Sequence, residues 1–117
     1  MTSPTRHRSK VLLGHIVHWG EKLEAALNGK TLREFLSNDL LNEACLHRLQ
    51  IVGEAANALP GPFRRKHKKL RWDDWIAFRH KLVHGYEAID MTFAYNFVTQ
   101  ELPAFLAAVK AIEGVEK

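Results

Sequence analysis

The chain has 117 residues, 46% of them hydrophobic, a length that suits one domain over residues 1–117 and is too short for two ordinary ones. Its single cysteine excludes an internal disulfide. No apolar run reaches the roughly 18 residues needed to cross a bilayer, and no apolar leader precedes a cleavage site, so the sequence indicates a cytoplasmic protein with no membrane segment. The 17 basic and 13 acidic residues leave a net charge of +4, which favours a polyanionic partner.

Apolar residues recur at helical spacing along nearly the whole chain, and no useful window alternates as a β-strand does. The first predicted helix ends at Asn28-Gly29, and Thr31 with Glu34 fits the capping box of a short helix that follows. Ser37-Asn38-Asp39 can cap a second long helix, which Pro60-Gly61-Pro62 ends. The apolar stripe of the first helix comprises Leu12, Ile16, Trp19, Leu23 and Leu27.

A basic segment, predicted as a loop or short helix, leads into a third long helix that runs from about Trp72 to Gly85. Asp90 can cap a final helix, which continues through Pro103. Its apolar stripe comprises Ala94, Val98, Leu102, Phe105, Val109 and Ile112. Four main helices with short connections predict an all-α fold, an antiparallel or up-down helical bundle.

The segment from Arg79 to Tyr86, in the last turns of the third predicted helix, carries the clearest chemical signal. The guanidinium of arginine matches phosphate oxygens, and histidine titrates near neutral pH, so the two offer charge stabilisation and proton transfer without a metal. Arg79 lies at the edge of the apolar face of this helix, where either a carboxylate such as Glu54 or a bound anion must pair with its guanidinium.

Five helical residues place Arg79 and His84 roughly 140° apart, so one helix alone does not bring them together. A second copy of the chain across a two-fold axis would line one cleft with both sets, which favours a homodimer. His80 and His84 have the spacing of a metal-binding pair, but there is no HExxH pattern and no further convincing ligand, so we expect no metal and no cofactor. Taken alone, His84 reads as a helix-end cap and Tyr86 as a loop anchor.

A run of basic residues precedes the third helix and suggests contact with a polyanion such as RNA. The alternative for such a run is a solvated surface face. The candidate RNA-binding residues are Arg64, Arg65, Lys66, Lys68, Lys69 and Arg71.

These residues resemble the HEPN superfamily, and within it the HepT-type toxins that pair with minimal nucleotidyltransferase antitoxins. Arg79-x4-His84-Gly85-Tyr86 is similar to the family's RxxxxHxY signature, and residues 49–56, LQIVGEAA, are similar to its "IGEA" helix. Trp72-Asp73-Asp74-Trp75-Ile76 and Glu101-Leu102-Pro103 also look like family features. The resemblance covers about residues 7–112.

The resemblance implies an α-helical homodimer with a composite, metal-independent endoribonuclease site of a type VII-like toxin-antitoxin system. Arg79 would hold the scissile phosphate, and His84 would move the proton. Tyr86 matches the tyrosine that the partner nucleotidyltransferase modifies with AMP to silence the toxin. RNA is the implied substrate, with tRNA one candidate.

One residue departs from the family pattern. Many relatives carry asparagine directly after the arginine, whereas this chain has His80, which could alter the pH profile or compete with His84 as the proton carrier. Two other functions fit parts of the sequence. One is a non-catalytic helical module that presents a substrate or nucleotide to a nucleotidyltransferase, and the other is a plain structural dimer of helices.

Overall fold

A computed structural model describes residues 4–85 and 88–115, and this part of the chain contains six α-helices and no β-strand. The all-α prediction is therefore confirmed. The helices are α1 (Pro4–Leu27), α2 (Leu32–Ser37), α3 (Asp39–Ala58), α4 (Gly61–Lys66), α5 (Trp72–His84) and α6 (Met91–Val115), with a 3₁₀ turn at Lys68–Leu70 between α4 and α5.

Local capping residues fix where several helices begin, as predicted. The Thr31 hydroxyl accepts a hydrogen bond from the backbone amide of Glu34, whose carboxylate accepts one from the Thr31 amide. The Asn38 side chain accepts from the Leu41 amide at the start of α3, and the Asp90 carboxylate accepts from the Phe93 amide at the start of α6. Each cap satisfies an amide that the first turn of a helix leaves without a partner.

The four long helices form the predicted bundle. Helix α1 packs against both α3 and α6, and α3 packs against α5. Large aromatic rings fill the remaining side, between α5 and α6: Trp75 stacks on Phe105 with ring centroids 4.5 Å apart and meets Phe97 at 4.7 Å. Helix α5, which carries Arg79 and His84, is thus packed on one side against α3 and on the other against aromatic side chains.

The predicted stripes agree with the core in α6 and only partly in α1. All six stripe residues of α6 are buried. In α1, Ile16, Leu23 and Leu27 are buried, whereas Leu12 and Trp19 are only partly so, and Leu13 is fully buried instead. The buried face of α1 is wider than a single stripe because two helices cover it.

No helix within the described residues carries an apolar stretch long enough to traverse a bilayer.

Cys45 is buried on α3, and this burial raises the pKa of its thiol from 9.0 to about 11. We expect a thiol reagent to leave Cys45 unlabelled in the native protein at pH 8 and to label it once guanidinium unfolds the chain. The raised pKa stabilises the fold below about pH 9, and that contribution is lost as the pH rises towards about 11. Native labelling as fast as that of the unfolded chain would contradict this placement.

Candidate active site

Arg79 lies where α5 comes closest to α3. Gly53 of α3 makes this approach possible, because a Cβ at position 53 would overlap the Cβ of Arg79 and lie 2.8 Å from the carbonyl oxygen of Trp75. Glycine inside a helix costs roughly 1 kcal/mol relative to alanine, so its presence in α3 needs a packing reason. The close contact with α5 supplies that reason and fixes the backbone position of Arg79.

The guanidinium of Arg79 is only loosely satisfied by the rest of the described chain. Its Nε lies 3.9 Å from Oε1 of Glu54, the predicted carboxylate partner, and the side chains of Arg79 and Glu54 are 27% and 45% exposed. The same Glu54 oxygen accepts a hydrogen bond of 3.0 Å from Gln50. Nε of Arg79 is buried yet has no hydrogen-bond acceptor among the described residues. An arginine held this way retains donors for a phosphate group.

His80 and His84 lie together on the solvent side of α5, near its C-terminal end. Both are exposed, and their ring centroids are 4.5 Å apart. Their separation by four residues explains the contact, because residues i and i+4 are neighbours on one helix face. Both imidazoles can therefore reach a bound molecule.

Arg79 and His84 occupy different sides of α5, as the helical geometry predicts. Arg79 faces α3 through its contacts with Gly53 and Glu54, whereas His84 is exposed. Val83 falls between them around the helix and is 41% exposed, which is unusual for a valine in a compact protein. Within one chain, then, the predicted catalytic residues do not share a face.

The predicted basic run divides into two groups. Arg64, Arg65, Lys68 and Arg71 line one concavity of about 280 Å³ beside the start of α5. Lys66 and Lys69 are exposed and do not line it. Tyr86, the predicted regulatory residue, lies outside the described residues.

The structural role of Gly53 is absent from the sequence predictions, where the residue belongs only to a family-like segment. A glycine in the middle of a strongly predicted helix is itself a signal of close packing, and it could have indicated this contact. Metal binding gains no support within residues 4–85 and 88–115, where no group of three or more His, Cys, Asp or Glu side chains is arranged to hold an ion.

Comparison of the sequence with known protein families identifies a ribonuclease family. The family model "Ribonuclease HepT-like" matches residues 18–112, which include both helices of the candidate site. The chain belongs to the HepT-like ribonuclease family, within the HEPN superfamily.

Several curated proteins are similar to this chain over most of its length. A protein of Caldanaerobacter subterraneus subsp. tengcongensis named "Putative RNase" is 32% identical over 105 residues, covering 90% of this chain and 94% of its own length. The "Probable ribonuclease HepT" of Thermococcus cleftensis is 30% identical over 71 residues, or 61% of this chain and 64% of the relative.

A third relative, from Methanocaldococcus jannaschii, is named "Gamma-glutamylcyclotransferase and putative RNase". It is 28% identical over 109 residues, which are 92% of this chain but 49% of the relative, so this chain spans about half of that protein. No solved structure matches the chain.

Proposed function

We propose that this chain is a metal-independent endoribonuclease, the toxin of a type VII-like toxin-antitoxin pair, with Arg79 and His84 as its catalytic residues. The observation that carries the proposal is the state of Arg79, which is fixed against Gly53 but paired only at 3.9 Å with Glu54. A rigidly placed cation with unused donors is what stabilisation of a phosphorane-like transition state requires. Membership of a ribonuclease family supports the same conclusion.

The proposed reaction uses only side-chain chemistry. One imidazole takes the proton from an RNA 2′-hydroxyl, whose oxygen attacks the adjacent phosphorus while the bond from phosphorus to the 5′-oxygen breaks. The leaving oxygen takes a proton from a protonated imidazole, and Arg79 stabilises the charge on the non-bridging oxygens. The products are a 2′,3′-cyclic phosphate and a free 5′-hydroxyl, so atoms and charge balance without an added reactant.

The proposed site is shared between two copies of the chain. Arg79 and His84 stand roughly 140° apart on α5, and the exposed Val83 lies between them. A two-fold contact over Val83 would bring Arg79 of one protomer towards His84 of its partner. Such a homodimer forms two equivalent sites, each combining Arg79 of one protomer with His84 of its partner, and His80 lies beside each His84 as a supporting group.

Control of the toxin is proposed to act at Tyr86. A minimal nucleotidyltransferase antitoxin would let the phenol oxygen attack the α-phosphorus of ATP, releasing pyrophosphate and leaving AMP on Tyr86. The modification adds bulk and negative charge two residues after His84, and both oppose the approach of an RNA phosphate. RNA, with tRNA one candidate, remains the proposed substrate.

The proposal is tested by incubating purified, unmodified protein with total cellular RNA in excess EDTA and identifying the product ends. We expect cleavage to continue in EDTA and to leave 2′,3′-cyclic phosphate ends. Cleavage that stops in EDTA and returns with a divalent ion would contradict the metal-independent reaction. No cleavage of any RNA by folded, dimeric protein would favour the non-catalytic binding module instead.

A further inference from the structure

A cationic concavity lies at the end of α5 opposite the histidines. Arg64, Arg65, Lys68 and Arg71 line it, and Asp73 contributes the one carboxylate. Its volume of about 280 Å³ suits a small charged group. Four like charges repel one another across such a space, and this repulsion is relieved when an anion binds between them.

Few of these cations are neutralised by the chain itself. Arg71 forms an ion pair of 2.9 Å with Asp74, but Arg64, Arg65 and Lys68 have no ion pair within the described residues. Nε of Arg64 is buried and has no acceptor in the same part of the chain. Buried donors are almost always hydrogen-bonded in folded proteins, so this nitrogen calls for an acceptor from outside the chain.

The backbone beside the concavity also favours an anion. Helix α5 has 13 residues, and no side chain caps its N-terminus. Its first two residues, Trp72 and Asp73, line the concavity, so the positive end of the helix dipole lies beside it. Arg71, the residue at the N-cap, has φ +58°, in the left-handed region that costs a residue other than glycine about 1 kcal/mol or more. The chain thus has an arginine at a backbone position where glycine would be less strained.

We infer that this concavity is a second phosphate-binding site, which holds the backbone of the substrate RNA away from the bond that is cut. The inference rests on the proposed ribonuclease function and deepens it. From Trp72 to His84 the helical rise amounts to about 18 Å, or roughly five phosphates of a stacked strand at 3.4 Å each. RNA of a dozen nucleotides spans both sites in one subunit, whereas a trinucleotide reaches only one.

The test measures how tightly a fluorescent single-stranded 12-nucleotide RNA and a trinucleotide bind to the His84→Ala protein. This measurement does not depend on cleavage. Adding Arg65→Ala with Lys68→Ala should weaken 12-nucleotide binding by about 10- to 100-fold. It should also reduce the slope of log K against log salt by about 0.7 for each RNA phosphate that is no longer neutralised. Binding of the trinucleotide, which can occupy the active site without the concavity, should fall by much less.

Lys10→Ala with Arg33→Ala is the matched control, because it removes the same charge from two exposed residues on α1 and α2, outside the concavity. Equal losses of affinity in the control and the test variant would mean diffuse attraction and would overturn the inference. An equal loss of affinity for the trinucleotide would do the same.

A third arm measures binding of inorganic phosphate and of ATP to the same variants. Phosphate that competes with the 12-nucleotide RNA, and loses affinity in the Arg65/Lys68 variant, supports an RNA phosphate site. If ATP binding depends on the concavity and the RNA does not compete with it, the site belongs to free nucleotides and the inference is overturned. If wild-type protein cuts no RNA while the 12-nucleotide probe still needs the concavity, the ribonuclease proposal fails and the phosphate site stands.

Discussion

His84→Ala is expected to lower the rate constant for RNA cleavage by roughly 100- to 10,000-fold, the range by which a positioned acid or base usually accelerates a reaction. Arg79→Ala should cost about 100- to 1,000-fold, because it removes the fixed cation aimed at the phosphate oxygens. Both rates are measured in EDTA on one defined RNA, with thermal unfolding confirming that the variants fold. His84 is exposed, so its replacement should leave the melting temperature nearly unchanged.

Mixing these two inactive variants tests whether the site is shared between protomers. If one protomer supplies Arg79 and its partner His84, each mixed dimer contains one intact site and one doubly defective site. Random exchange makes half of the dimers mixed, so activity should return to about a quarter of the wild-type value. A mixture that stays inactive, with subunit exchange demonstrated, would show that each chain builds its site alone.

His80→Asn tests which of the two histidines moves the proton. We expect cleavage to persist, because an amide can still donate and accept hydrogen bonds at this exposed position. Loss of activity as large as that of His84→Ala would assign the proton transfer to His80 and revise the roles within the pair.

Gly53→Ala is expected to destabilise the fold by about 1 to 3 kcal/mol, the usual cost of forcing extra atoms into a packed contact. The new methyl group would overlap the Cβ of Arg79 and press on the carbonyl oxygen of Trp75, neither of which can rotate away. The better helix propensity of alanine offsets part of this cost. Cleavage should fall as well, because α5 must shift and a displacement of about 1 Å can cost 100-fold in rate. Urea unfolding and the cleavage rate are measured together.

Gly85→Ala is the matched control for this substitution. Position 85 has φ −147°, which any residue adopts, and a Cβ there would meet only the Lys81 carbonyl oxygen at 3.5 Å, an ordinary contact. Its free energy of unfolding should stay the same or rise by up to about 1 kcal/mol, since alanine restricts the unfolded chain. If both variants lose equal stability, Gly53 has no special role in the contact between α3 and α5.

The sequence predicts most of the helix boundaries, because they depend on residues close together in the chain. Thr31 with Glu34, Asn38 and Asp90 each act within three residues, so their patterns are readable without knowledge of the fold. The stripe of α6 is predictable for the same reason, since one repeating spacing determines which side is buried. The predicted partner of Arg79, Glu54, lies near it, with 3.9 Å between Nε and Oε1.

Contacts between distant segments are harder to predict. The overlap that a side chain at Gly53 would create arises from a residue 26 positions away, and it leaves no periodic signal. The left-handed backbone of Arg71 is not predictable from the sequence, because glycine or asparagine is the residue expected at a positive φ. The four cations of the concavity converge because of how the chain turns from α4 into the 3₁₀ turn at Lys68–Leu70, and composition does not encode that shape.

Two of the three tryptophans, Trp72 and Trp75, are buried on α5 itself, where both contact Phe105 of α6. The third, Trp19 on α1, is only partly buried. The intrinsic fluorescence of the protein therefore comes largely from the helix that bears Arg79 and His84. Its emission wavelength is a label-free optical signal for whether that helix stays docked when RNA, a partner or a denaturant is added.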